Sequence, residues 1–167
     1  MVVFQSDRID FVSVSEALVD DYLIMMNDPG VQRMIAHEPR VYDREGELAW
    51  IQENLADGTM LFSMLERATG RFIGNTDLRE FDAGRAVLGI SITPAMQDRG
   101  FGTEAVERMV QYGFETLGLD AVELKVYAHN PRARHVYEKL GFKVVSIREP
   151  DADGVVDICM RRERDIP

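Results

Sequence analysis

Residues 97–105, QDRGFGTEA, lie between an apolar segment and a long helical pattern. The apolar segment, 86–93, is typical of a strand, and apolar residues recur at helical spacing from Phe101 to Leu117. A strand, a glycine-bearing turn and a helix start therefore follow one another. Unpaired backbone N–H groups and the helix dipole attract anions at such a helix start, and glycines let a ligand approach closely. The stretch predicts a seat for a phosphate or pyrophosphate group.

The composition indicates a globular chain of ordinary domain size. The chain has 167 residues, of which 46% are hydrophobic and 29% are charged. No apolar run approaches the roughly 18 residues of a membrane span, and the N-terminal residues lack a secretory pattern. The single cysteine, Cys159, cannot form an internal disulfide, and no Cys/His zinc spacing exists. These features predict a cytoplasmic protein with no membrane contact and no metal.

The formal net charge of −10 bears on the class of partner. Nucleic-acid binding needs a positive footprint, so this charge argues against it. A negative field is compatible with a cationic substrate such as an amine. Solubility alone accounts for most of the charge.

The patterns along the chain predict one α+β domain over residues 1–167, with helices on the faces of a mixed, mostly antiparallel sheet. The glycine-bearing turn follows three sequential antiparallel strands. The predicted strands are 8–12, 60–65, 72–78, 86–93, 122–127, 142–147 and 155–160, and the predicted helices are 18–26, 31–35, 44–57, 101–117 and 131–140.

Residues 100–105 also match the dinucleotide-binding pattern G-x-G-x-x-G/A. Glu123 lies about twenty residues later, where that fold places a ribose-binding acid. The pattern belongs, however, to the first strand–helix turn of alternating strands and helices. Here three hairpin-like strands precede it, and too little chain follows for a doubly wound sheet. This context argues against nicotinamide binding and keeps the phosphate-binding interpretation.

Two blocks in combination resemble the GNAT superfamily of acetyl-CoA-dependent N-acetyltransferases. Gln97-x-x-Gly100-x-Gly102 resembles the Q/R-x-x-G-x-G/A pyrophosphate loop of that family, and residues 130–142, NPRARHVYEKLGF, resemble its N-x-x-A/S-x-x-x-Y-E-K-x-G-F segment. The opening of the chain, with residues 28–31 after the first helix and Gly74 in a strand, is similar to the branch that acetylates ribosomal-protein N-termini. The resemblance implies a GNAT-like fold with a central splay in the sheet and helices on both faces.

The resemblance also implies a site for acetyl-CoA as cosubstrate. Backbone N–H groups from Arg99 to Thr103 would hold the pyrophosphate, and the end of strand 86–93 would run beside the pantetheine arm. Asn130, which is a good helix cap in any case, would line the far side of the cofactor together with Ala133. The implied cofactor-binding residues are Ile92, Thr93, Gln97, Arg99, Gly100, Phe101, Gly102, Thr103, Asn130, Arg132 and Ala133.

The implied reaction is direct acetyl transfer to a primary amine. A backbone N–H near Ile92 is the candidate donor to the oxyanion. Tyr137 is the candidate general acid, although its spacing alone is typical of a core tyrosine. Many relatives carry a glutamate near the start of the fourth strand, where this chain has Val87. The general base is therefore left open between Asp77 and Glu80, with Glu38 a further candidate.

The missing glutamate also motivates an alternative function, a non-catalytic acyl-CoA-binding regulatory domain. The acceptor amine, a protein N-terminus or a small amino compound, is left open by the sequence. A homodimer is one arrangement compatible with it.

Overall fold

The computed structural model describes residues 1–35, 38–57 and 59–165. The first part of the chain forms β1 (Val2–Gln5), β2 (Ile9–Ser13), α1 (Val19–Met26), α2 (Pro29–Ile35), α3 (Arg44–Asp57), β3 (Met60–Glu66), β4 (Phe72–Asp82) and β5 (Arg85–Ile92). The second part forms α4 (Phe101–Glu115), β6 (Ala121–Tyr127), α5 (Pro131–Lys139), β7 (Lys143–Ile147) and β8 (Asp157–Glu163). After β1, the helices and strands follow one another in the predicted order.

Hydrogen bonding among the described strands joins them into one sheet in the order β1-β2-β3-β4-β5-β6-β8-β7. The pairs β1/β2, β2/β3, β6/β8 and β7/β8 are antiparallel, whereas β5 and β6 are parallel. The predicted α+β class with a mixed, mostly antiparallel sheet is confirmed. The parallel pairing joins residues 85–87 to residues 121–123, at the start of each strand, which agrees with the predicted splay.

Three local features differ from the sequence-based expectation. Strand β1 was not predicted, and its Phe4 ring stacks on Phe11 of β2 at 4.4 Å. Helix α2 begins at Pro29 rather than Val31, because the Asp28 carboxylate accepts a hydrogen bond from the Val31 N–H and proline suits the first helical position. Leu55 was predicted on the buried face of α3 but is 48% exposed.

The chain divides into two compact units. Unit 1 contains residues 1–77 and 90–105, and unit 2 contains residues 78–89 and the chain from 106 onward. In unit 1 the fully buried Tyr22 packs edge-on against Trp50 and Phe72, with ring centroids 5.9 and 5.5 Å away. In unit 2 the buried side chains come mainly from α4, β6 and residues 86–88 of β5. The prediction of a single domain over residues 1–167 stays a prediction.

Gly74 lies where β4 and β5 approach very closely. A Cβ atom at this position would lie 1.9 Å from the Ser91 carbonyl oxygen, 2.9 Å from its carbonyl carbon and 3.0 Å from the Ile92 Cα. All three are backbone atoms, so no change of rotamer relieves the clash. Only glycine allows this spacing, which fixes the path of the last residues of β5.

Gly74→Ala is expected to lower the free energy of unfolding by about 3 kcal/mol, because β5 must shift to admit the methyl group. Urea unfolding followed by circular dichroism measures the change. Gly102→Ala is the matched control, since a Cβ at Gly102 comes no closer than 3.9 Å to Ile92 Cγ1. Equal stability of the two variants would contradict the steric role of Gly74.

Candidate functional site

The glycine-bearing turn forms the start of α4 in unit 1. A short 3₁₀ turn, Pro94–Met96, follows β5, and α4 begins at Phe101. The hydrogen bond from the Glu104 N–H to the Gly100 carbonyl, 3.2 Å long, is the first of the helix. The N–H groups of residues 101–103 therefore precede the helical ladder and are available to an anion. Gly100 has φ +81°, a left-handed conformation that favours glycine and turns the chain into the helix.

The backbone at Gly102 is open to a ligand. Apart from the adjacent residues and the backbone of α4 itself, Ile92 Cγ1 is the one described atom within 4 Å of a Cβ placed there, at 3.9 Å. The φ angle of Gly102 is not in the left-handed region, so the backbone can accept a side chain at this position. Glycine at 102 thus leaves room beside the helix start that the fold does not use.

Arg8 braces this turn, and the sequence patterns did not reveal it. Its Nε donates to Glu104 Oε2 over 2.7 Å, its Nη1 donates to the Arg99 carbonyl over 3.0 Å, and its guanidinium stacks on the Phe101 ring at 4.5 Å. Burial disfavours ionisation of Glu104, but hydrogen bonds from Ser6 and Arg8 outweigh it and hold the pKa of that carboxyl below its usual range. No local pattern links residues 8 and 104, which are 96 positions apart.

Arg99, the predicted phosphate contact, is paired within unit 1. Its Nη2 lies 2.9 Å from Glu66 Oε1, and its guanidinium lies over the Phe101 ring at 5.1 Å. A hydrogen bond from Thr69, together with the Arg99 charge, holds the pKa of Glu66 below its usual range. Arg99 therefore stands beside the turn with a carboxylate as its present partner, which a phosphate would have to replace or share.

The end of β5 is held by the protein's own hydrogen bonds. The Gln97 side chain donates to the Ile92 carbonyl over 3.0 Å, and the Thr93 N–H donates to the Ile73 carbonyl over 2.8 Å. Gln97 thus orients the strand end that leads into the turn.

A cavity of about 460 Å³ opens elsewhere in unit 1. It is bordered by α1, the loop before α3, α3 itself and strands β3 to β5. The charged side chains in its described lining are mostly acidic. They are the carboxylates Asp43, Glu47 and Asp77 and one guanidinium, Arg40. Its other lining side chains include Met25, Tyr42, Trp50, Leu61 and Asn75. Asp77, a predicted base candidate, lies in this cavity.

Two side-chain amides hold the loop that forms one wall of the cavity. Asn27 donates to the Tyr42 carbonyl and accepts from the Tyr42 N–H, both over 2.9 Å. The buried Gln32 donates to the Arg40 carbonyl over 2.7 Å and accepts from its N–H over 3.1 Å. Each amide makes the two backbone hydrogen bonds that a neighbouring strand would otherwise make. The backbone of residues 40–42 is therefore fixed without being part of a helix or strand.

A hydrogen-bond chain orients Asn75 in the same cavity. The Tyr22 hydroxyl accepts from the Ser15 N–H over 3.2 Å and lies 2.7 Å from Ser63 Oγ. Ser63 Oγ donates to Asn75 Oδ1 over 2.8 Å. Since the Ser63 hydroxyl has one proton to donate, Tyr22 donates to Ser63. The side-chain oxygen of Asn75, rather than its NH₂ group, therefore points toward Ser63. The Asn75 NH₂ group is left to face the cavity as a donor.

The second motif block lies in unit 2. Asn130 caps α5 as predicted, because its Oδ1 accepts from the Ala133 N–H over 3.2 Å, and Pro131 follows at the first helical position. The Tyr137 ring lies 6.0 Å from the Phe142 ring, and its hydroxyl has no hydrogen-bond partner among the described residues. Burial raises the pKa of Tyr137, so the hydroxyl keeps its proton at neutral pH. Arg132 is exposed at the start of the helix.

Glu80, the other base candidate, has a different environment from Asp77. It adopts φ +53°, lies 3.6 Å from Lys125 Nζ and lines a second cavity of about 500 Å³ in unit 2. Val87, the position where the resemblance led us to expect a glutamate, is buried and lines that second cavity. Glu38 is exposed. Of the three candidate bases, Asp77 is the one in the cavity of unit 1.

Other chemistries have less support among the described side chains. Residues 1–35, 38–57 and 59–165 contain no helix long and apolar enough to cross a membrane. They also contain no group of three or more His, Cys, Asp or Glu that could hold a metal ion. Burial raises the pKa of the Cys159 thiol, which suits a packing residue rather than a nucleophile.

The sequence of the chain matches known acetyltransferases. The model of the acetyltransferase (GNAT) domain family matches residues 8–143. Human alpha/beta-tubulin-N-acetyltransferase 9 is 29% identical over 147 residues, which cover 79% of this chain and 70% of that protein. Spermidine N(1)-acetyltransferase of Escherichia coli K12 is 42% identical over 60 residues, which cover 36% of this chain and 32% of that protein. The chain spans half or less of the length of several curated relatives that it matches.

The fold is that of solved acetyltransferases. The crystal structure of spermidine N-acetyltransferase from Vibrio cholerae, in complex with CoA and spermine, superposes with a TM-score of 0.85 at 19% identity, over 95% of this chain and 96% of that chain. The family match includes both motif blocks, 97–102 and 130–142, and confirms the predicted resemblance to the GNAT family. The chain therefore belongs to the acetyltransferase (GNAT) domain family.

Proposed function

We propose that the protein transfers an acetyl group directly from acetyl-CoA to a primary amine. The observation that carries this proposal is the backbone at Gly102, which the described residues leave open, beside the N–H groups of residues 101–103, which precede the first helical hydrogen bond of α4. A pyrophosphate is a suitable occupant, because the helix dipole favours its charge and glycine lets it approach the backbone. Membership of the GNAT family supports the identity of the acetyl donor.

The reaction needs a base, an oxyanion donor and an acid. The neutral amine nitrogen attacks the thioester carbonyl carbon, so a C–N bond forms and the C–S bond breaks. Before the attack, the base takes one proton from the ammonium. The nitrogen releases a second proton as the amide forms, the leaving thiolate takes one proton from the acid, and the released proton restores the acid. We assign the acid to Tyr137, because its hydroxyl is protonated at neutral pH and bonds to none of the described residues. Asp77 is the preferred base because it lines the cavity of unit 1, and Glu80 is the second candidate.

The cavity of unit 1 narrows the range of acceptor amines beyond what family membership implies. The named relatives act on tubulin and on spermidine, which are a protein and a polyamine. The finer likeness to the branch that acetylates ribosomal-protein N-termini stays a prediction. An acidic cavity of about 460 Å³ favours a small cationic amine over a neutral one.

We expect thiol release when the protein is mixed with acetyl-CoA and a suitable amine. A thiol-reactive dye follows free CoA while the acceptor is a peptide with a free N-terminus, a monoamine, a diamine or spermidine. A mixture without amine corrects for hydrolysis. Tight CoA binding without thiol release from any acceptor would contradict catalysis and favour the alternative, a non-catalytic acyl-CoA-binding regulatory domain.

A further inference from the structure

Glu47 is a buried carboxylate in the wall of the unit 1 cavity. It lies on α3, four residues before the fully buried Ile51, and its own exposed fraction is 7%. Carboxylates are rarely buried to this extent unless they are paired. The position of Glu47 therefore calls for a partner.

No described residue supplies that partner at contact distance. Glu47 has no side-chain hydrogen bond and no ion pair within 4 Å in the described chain. Arg40 acts on it only as a nearby charge, while its guanidinium stacks on the Tyr42 ring at 4.5 Å. Among the described residues, every fully enclosed side-chain N or O atom has a hydrogen-bond partner. The unpaired oxygens of Glu47 must therefore be the part of the side chain that still meets solvent, through the cavity.

A ligand cation would complete this arrangement. Withdrawing a carboxylate from water without a partner is unfavourable, and burial accordingly raises the pKa of Glu47, against a smaller opposing effect of Arg40. An ammonium group in the cavity would restore the lost interactions as a charge-assisted hydrogen bond. Tyr42 and Trp50 also line the cavity, and aromatic rings favour contact with ammonium groups.

The cavity offers a second carboxylate on a different element. Asp77 belongs to β4, whereas Glu47 belongs to α3, and Ile90 and Ser91 of β5 line the same space. If Asp77 serves the reacting amine, as the proposed function has it, Glu47 is left for another positive group. A peptide N-terminus brings one ammonium followed by neutral amides, so it leaves Glu47 unpaired.

We propose that Glu47 binds a second ammonium group of the acceptor, one that is not acetylated, and so selects diamines and polyamines over monoamines. This inference rests on the proposed function for the identity of the reacting amine. Glu47 is thus a specificity-determining residue, and the substrate class is a compact acceptor with at least two cationic nitrogens.

The test compares two probes of equal length by isothermal titration calorimetry. 1,4-Diaminobutane carries two ammonium groups, and 4-aminobutan-1-ol replaces one with a hydroxyl. We expect the wild type to bind the diamine about tenfold more tightly, and Glu47→Gln to reduce that preference below about twofold. Glu53→Gln removes an exposed carboxylate from the same helix and should keep the preference.

Thermal stability separates a binding role from a structural one. Because Glu47 is buried with no contact partner in residues 1–35, 38–57 and 59–165, Glu47→Gln should leave the Tm of the ligand-free protein unchanged or raise it. Loss of the preference together with a lowered Tm would assign Glu47 a structural role and overturn the proposal, as would an unchanged preference in Glu47→Gln or equal binding of the probes by the wild type. These readouts need no turnover, so they remain decisive even if thiol release is absent.

Discussion

Gly102→Val is expected to weaken acetyl-CoA binding by about tenfold to a hundredfold. A valine side chain would fill the space beside the start of α4 and hold a pyrophosphate away from the N–H groups of residues 101–103. Each charge-assisted hydrogen bond lost in this way costs about 1.5–3 kcal/mol. The fold should be retained, since the nearest described atom outside the adjacent residues and the α4 backbone lies 3.9 Å from a Cβ at 102.

Calorimetric titration with CoA measures this change, because CoA carries the same pyrophosphate as acetyl-CoA. Gln111→Val is the control, since it introduces the same β-branched residue on an exposed position of α4. Unchanged affinity in Gly102→Val would mean that the turn is purely structural and would remove the main support for the proposed cofactor site.

Tyr137→Phe is expected to lower turnover by about 10²–10⁴-fold with little change in CoA affinity. A positioned general acid contributes roughly this factor, and the substitution removes the proton donor alone. The ring should remain in place, because it lies beside the Phe142 ring and its hydroxyl bonds to no described residue.

Steady-state thiol release at saturating acetyl-CoA measures the effect, with CoA affinity determined separately by titration. Tyr112→Phe removes a hydroxyl from α4, outside the predicted site, and should keep most of the activity. If Tyr137→Phe turns over at the wild-type rate, the proton reaches the thiolate from another group or from water.

Local sequence signals predicted the elements that bear the two motif blocks. The start of α4 follows from glycines beside a helical pattern, and the cap of α5 follows from Asn130 before Pro131. These features depend on residues within a few positions of one another, so the chain itself reveals them.

The parts that the sequence did not reveal depend on distant contacts or on a misread helix face. The ion pair between Arg8 and Glu104 joins residues that are far apart in the sequence, and no spacing rule connects them. On α3 the spacing of Leu48, Ile51 and Leu55 suggested one buried face, but burial is centred on Glu47 and Ile51, four residues apart. A carboxylate does not count toward a hydrophobic pattern, so the pattern gave no sign that Glu47 is buried beside the cavity.

The amide-held loop beside the cavity has a consequence for how acceptor preference can change. Asn27 and Gln32 bond to the main chain at positions 40 and 42, so they hold the path of the loop whatever side chains it bears. Arg40, Val41 and Tyr42 are therefore positions where side chains can be exchanged on a fixed backbone. Mutation and selection at these three positions can retune the cavity for a new amine without rebuilding the fold, which makes this loop the natural starting point for engineered variants.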